Sequence, residues 1–177
     1  MSETGTAAQP RGMARALGSA ALLVAVLGAG SSAGAGQAQS FDPITFFTGA
    51  TESSGSLKQA FSSAKATHVT GYGAMQGNGQ FVLNQTMTVA GDKPQNRQWQ
   101  LHQIAPGHFG GSISDGKGPV TIDVAGNRLL IRYTMTNGLK VESVLTIDPG
   151  GRSGHNMSVV RKWGMTVANL SETISKR

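Results

Sequence analysis

Tight-turn sequences recur through this chain at short intervals, and they commit it to hairpins. Gly77-Asn78-Gly79, Gly91-Asp92-Lys93-Pro94, Ala105-Pro106-Gly107, Asp115-Gly116-Lys117-Gly118, Ala125-Gly126-Asn127, Asn137-Gly138 and Pro149-Gly150-Gly151 follow in regular succession. Gly and Asn tolerate the positive φ of tight hairpins, and Pro cannot continue a strand ladder. Between these turns the apolar residues recur at every second position. Phe81, Leu83, Met87 and Val89 alternate with Gln80, Asn84, Thr86 and Thr88. Val120, Ile122 and Val124, then Leu129, Ile131, Tyr133 and Met135, then Val141, Leu145 and Ile147 continue the pattern. A period of two marks strands with one dry and one wet face, as antiparallel sheets have.

About ten strands follow from this: 51–61, 66–76, 80–90, 96–104, 108–114, 119–124, 128–136, 139–148, 155–162 and 166–175. Ten hairpin-linked strands with one apolar face must hide it. Rolling the sheet shut buries the face and removes the edges. The expected fold is therefore all-β: a lipocalin-like, up-and-down antiparallel β-barrel of about 8–10 strands, with an interior that is filled or holds one small ligand. The competing two-sheet sandwich needs a long crossover, and none is apparent. "FDPITFF" at 41–47 is either a helical turn or a plug across one end.

Ahead of the strands lies a different kind of segment. Arg11 and Arg15 precede the apolar run Ala16–Ala29, and the small residues "GSSAGAGQAQ" follow. The run is shorter than the ~20 apolar residues a membrane-spanning helix needs. It reads as a signal peptide, residues 1–38, with cleavage near 35 or 38. Residues 39–50 then form an N-terminal segment and 51–177 the barrel domain. The expected location is the periplasm or cell envelope of a bacterium. The chain has no Cys, so disulfides, thiolate metal sites and a lipid-bearing N-terminal Cys are excluded.

The formal net charge is +6, but the cations are scattered along the chain without a run. A basic exterior including Arg128, Arg132 and Lys140 fits peripheral contact with an anionic envelope surface. No nucleic-acid-binding motif accompanies it. His68, His102, His108 and His155 show no metal-ligand spacing. His102 and His108 flank one hairpin and either face each other or stand exposed. No nucleophile elbow, phosphate loop or cofactor motif is present. Nothing in the pattern asks for catalysis, and a monomer is expected.

The run "APGHFGGSISDGKGPVTIDVAGNRLLIRY" (105–133) resembles a family of bacterial envelope proteins known as domain of unknown function three-eight-three-three. "FDPITFFTG" (41–49), Arg97-x-Trp99 and "KWG" (162–164) carry the resemblance across the rest of the chain. It implies a lipocalin-like barrel and no defined activity.

One alternation is out of place. Arg97 shares a strand face with Trp99 and Leu101, putting a guanidinium on the dry side. Such an arginine closes a barrel end by stacking on the indole and bonding strand carbonyls, or it holds a ligand carboxylate or phosphate. The reading reached is an exported barrel binding a small apolar or amphipathic molecule. Arg97, Trp99, Tyr133, Leu83, Met87, Met135 and Leu145 are its expected cavity lining. Gly71, Gly73, Gly111 and Ser143 are expected to leave room inside. An envelope structural or interaction module with a filled barrel is the alternative.

Overall fold

A computed structural model describes residues 41–177; the expected signal peptide lies outside the described residues. A short helix α1 (Pro43–Phe47) precedes ten strands: β1 (Gly49–Gln59), β2 (Lys65–Met75), β3 (Phe81–Val89), β4 (Gln95–Ala105) and β5 (His108–Ile113), then β6 (Val120–Ala125), β7 (Arg128–Thr134), β8 (Lys140–Ile147), β9 (Ser153–Lys162) and β10 (Met165–Lys176). Each strand pairs antiparallel with its chain neighbours. β1 pairs with β10 from Thr51↔Lys176 to Gln59↔Ala168, which shuts the ring. The expected all-β, up-and-down antiparallel barrel is the fold, with ten strands rather than the eight of lipocalins. Strand ends fall within about two residues of those expected. Asn137-Gly138 forms its tight turn, with Gly138 at φ +81, where a side chain would be strained.

The core sits toward one end of the barrel. Phe81, Leu129, Leu145 and Val120 are almost fully buried there, together with Phe46 from α1. α1 is the plug that "FDPITFF" allowed. Asp42 caps it by accepting hydrogen bonds from the Ile44 and Thr45 amides at 3.0 and 3.2 Å, and Pro43 stands in its first turn. Phe46 and Phe47 point into the barrel, their rings edge-on at 4.9 Å. The Lys176 ammonium, on β10, donates to the carbonyls of Thr45, Phe46 and Thr48 at 2.8, 2.7 and 3.0 Å. It thereby satisfies acceptors that so short a helix leaves open at its C-terminus.

The inward glycines do not leave room, contrary to expectation. A Cβ on Gly73 would collide with the Phe47 carbonyl and the Phe81 ring, and one on Gly111 with the Gln100 carbonyl. At Gly71 it would lie 2.7 Å from Thr51 Oγ1. These glycines let the plug and neighbouring strands come close. Ser143 does face inward, and it is buried.

Candidate functional site

Below the plug the inward side chains enclose a cavity of about 110 Å³. Six of the seven expected lining residues surround it: Arg97, Trp99, Tyr133, Leu83, Met87 and Leu145. Met135 does not. β7 ends at Thr134, and Met135 turns away into the next hairpin, where it bridges Gly116. The exposed methionines, Met75, Met157 and Met165, do not line the cavity either. A wider depression of about 640 Å³ runs over β2, β3 and β4 on the outer face. It is a shallow surface open to water.

Two polar groupings interrupt the apolar lining. On the wall formed by β3, β4 and β7, Arg97 donates to one carboxylate oxygen of Asp115 from Nε at 3.1 Å and a terminal nitrogen at 2.6 Å. Trp99 donates from its indole N–H to Gln85 Oε1 at 2.7 Å and meets Tyr133 edge-on at 5.3 Å. The expected arginine–indole stack is therefore replaced. The guanidinium takes a carboxylate, and the tryptophan takes a phenol ring. An ion pair satisfies the charge more fully than carbonyl dipoles could. The pair lies toward the end opposite the plug, since Asp115 belongs to the β5–β6 connection and Arg97 to the start of β4. His102 and His108 do not face each other either; both are exposed, and His108 sits 2.9 Å from Asp123. That imidazole first, and then Arg132, holds the Asp123 carboxyl below its ordinary value on the outer surface.

The second grouping is on the wall of β1, β10, β9 and β8. Ser53 Oγ donates to Glu172 Oε2 at 2.8 Å, and Asn156 Nδ2 donates to Glu172 Oε1 at 2.9 Å. Asn156 also reaches Ser158 Oγ at 3.2 Å, which pairs with Ser143 Oγ at 2.7 Å. No cation stands within ion-pair distance of Glu172 among the described residues. The carboxylate needs a donor, which fixes the Asn156 amide with its oxygen facing away from Glu172. That oxygen is buried and has no hydrogen-bond partner among the described residues. Asn156 is 8 % exposed. A buried acceptor left unpaired costs about 1–3 kcal/mol. The cavity wall thus carries one carboxylate without a counter-cation, Glu172, and behind it a buried amide oxygen that nothing pairs among the described residues.

Burial pushes the Tyr133 phenol above its ordinary value; nearby Arg97 opposes the rise and Asp115 adds to it. The fold holds the neutral phenol, so the unfolded chain releases this proton first. Its contribution to stability is present below the unfolded value of about 10 and is lost as pH rises from there through the higher folded value. The chain has two tyrosines. In Tyr72→Phe protein, a phenolate absorbance titration should show the remaining phenol ionising late and together with loss of near-UV dichroism. Ionisation at the ordinary value in a folded barrel would contradict this.

The fold and its interior define the class: a closed ten-stranded antiparallel barrel with one plugged end and a partly polar internal cavity. The chain belongs to the family described as Protein of unknown function (DUF3833), whose model matches residues 21–176. No curated protein matches the chain. Among solved structures it is similar to the S-type phycobiliprotein lyase CPES from Guillardia theta. The TM-score is 0.62 at 7% identity, over 76% of this chain and 90% of that one. It is also similar to a protein of unknown function from the DUF3598 family of Nostoc punctiforme. There the TM-score is 0.54 at 11% identity, over 82% of this chain and 53% of that one, so this chain spans about half that protein's length. At such identities the likeness is one of fold.

Proposed function

We propose that this protein is an exported barrel of the bacterial envelope that holds the polar end of a small amphipathic molecule in its interior. The observation that carries the reading is a carboxylate with no cation beside it among the described residues, Glu172, held by Ser53 and Asn156 on the wall of an otherwise largely apolar cavity. Such a surface selects a hydrogen-bond donor, above all a protonated amine, attached to an apolar body. The enclosed volume of about 110 Å³ is less than the ~150 Å³ that takes a benzene. It therefore seats the end of a molecule rather than a whole one. Toward the unplugged end Met87, Trp99 and Leu170 are half-buried, although Thr67, Val89 and Ala168 are buried, and the half-buried side gives the remainder of the molecule a way out. A barrel of similar shape is named as a phycobiliprotein lyase, which supports the general reading without identifying the ligand.

Native mass spectrometry of the protein isolated from its own envelope tests this. The expected result is a reproducible added mass that organic extraction removes. The bare polypeptide mass in repeated preparations would overturn it. Because the cavity is small, that outcome would select the second reading, a filled envelope interaction module whose interior acceptors are met by water.

A further inference from the structure

In an up-and-down barrel, alternate hairpins share an end. The odd hairpins here, from β1–β2 to β9–β10, surround the end opposite the plug. Every lysine of the chain except Lys176 belongs to that end. Lys58 and Lys65 flank the first hairpin; Lys93 lies in the third and Lys117 in the fifth, while Lys140 and Lys162 flank the seventh and ninth. Of these, only Lys65 pairs with a carboxylate, Asp92, among the described residues. At the plugged end the charges offset: Asp42, Asp123 and Asp148 stand against Arg128, Arg152 and Lys176, and Arg177 pairs with Glu52. The positive charge that looked scattered along the sequence is collected on one face.

The same face carries the two most exposed aromatic side chains. Phe61, in the β1–β2 hairpin, is 109 % exposed, and Trp163, in the β9–β10 hairpin, is 84 % exposed. These hairpins are neighbours, since β1 pairs with β10 and the Ala60 amide donates to Val167 O at 2.9 Å. Met165 beside Trp163 is also exposed. Both aromatic residues have positive φ, +60 at Phe61 and +50 at Trp163. That is a conformation glycine adopts freely and bulky residues rarely do. Each tip therefore bears two costs, a strained backbone and an apolar ring in water. The Lys162 ammonium lies 4.9 Å from the centre of the Trp163 ring, which keeps cation and aromatic at one level.

We infer that this end docks on the surface of an anionic lipid bilayer, with Phe61 and Trp163 entering the headgroup boundary and the lysines facing lipid phosphates. Tryptophan and phenylalanine favour that boundary because one part of it is apolar and the other wet. The lysines supply attraction that falls off within a Debye length. A protein partner would need a complementary acidic surface and a shaped apolar pocket. Two rings projecting from adjacent hairpins, with separated lysines around the same rim, suit a plane better than a pocket. Docked this way, the unplugged end of the barrel faces the membrane.

Flotation with phosphatidylcholine vesicles, with and without phosphatidylglycerol, tests the inference on the protein as isolated. The expected result is binding that requires phosphatidylglycerol, weakens with added salt and shifts tryptophan emission to the blue. Phe61→Gly with Trp163→Gly relieves both strained positions, so this variant should fold at least as well. It should nevertheless bind roughly tenfold or more weakly, because two rings no longer leave water. Each of Lys93→Gln, Lys117→Gln and Lys140→Gln should lower binding about fivefold at low salt. Equal binding to both vesicle types, unchanged binding by the glycine variant, or capture by a protein with no affinity for vesicles would overturn it. If vesicles are ignored while native mass spectra still show a bound small molecule, only this docking face is lost.

Discussion

Phe81→Ala is expected to lower the stability of the barrel more than any other single truncation considered for it. Phe81 is 0 % exposed and packs in the core cluster that includes Phe46 and Phe47 of the plug. Removing such a ring costs about 3–5 kcal/mol, through lost transfer energy and the cavity left behind. For a domain of this size that lowers Tm by roughly 10 °C, read by thermal unfolding followed by circular dichroism. Gly73→Ala should damage the same place from the opposite direction. Its added methyl would meet the Phe81 ring and also the Phe47 carbonyl. Were the ring the whole obstacle, combining the two changes would recover stability. The carbonyl belongs to the chain leaving α1 and cannot rotate away, so the double variant should be no more stable than Phe81→Ala alone. Recovery well above the single variant would show that the plug does not seat against Gly73 as described.

The barrel was legible because its physics is local. Alternation of apolar residues and the turn chemistry of Asn137-Gly138 and its counterparts are written in neighbouring positions. The cavity wall was legible in part by the same rule. Arg97 drew notice as a charge in phase with Trp99 and Leu101, and it does face inward. Glu172 gives the same signal. It is in phase with Leu170 and Ile174 on β10, and all three line the cavity, yet the small and hydroxyl residues around it masked the alternation. The partner of Arg97 was not legible. Asp115 arrives from the hairpin after β5, and only the curvature of the closed sheet brings it to 2.6 Å. Met135 was misplaced for a similar reason, since one residue at a strand end decides which way a side chain turns. The lysine-bearing face lay between these cases. Its residues are far apart in sequence, but they occupy odd hairpins only, a regularity that acquires meaning once the ring is known to shut.

Replacing Glu172 by Gln should separate what this residue does for the fold from what it does for a ligand. The substitution keeps shape and hydrogen-bonding capacity: the new amide oxygen can accept from Asn156 Nδ2, and its nitrogen can donate to Ser53 Oγ. It removes a partly buried negative charge that has no cation near it, and burying such a charge is unfavourable. Stability should therefore hold or rise slightly. A group retained only for structure would give the reverse. Binding should move the other way, because a charge-assisted hydrogen bond is worth about 1.5–3 kcal/mol. Its loss weakens capture of a protonated amine about ten- to a hundredfold. Titration calorimetry with octylamine and with octanol supplies the comparison, as the two share an apolar body and differ in the charge of the donor. The amine should bind the natural protein more tightly than the alcohol does, and Glu172→Gln should erase that preference while leaving the alcohol little affected. A preference unchanged by the substitution, or a variant that unfolds at markedly lower temperature, would mean that the carboxylate braces the wall between β1 and β9. In that case the carboxylate would belong to packing and not to recognition.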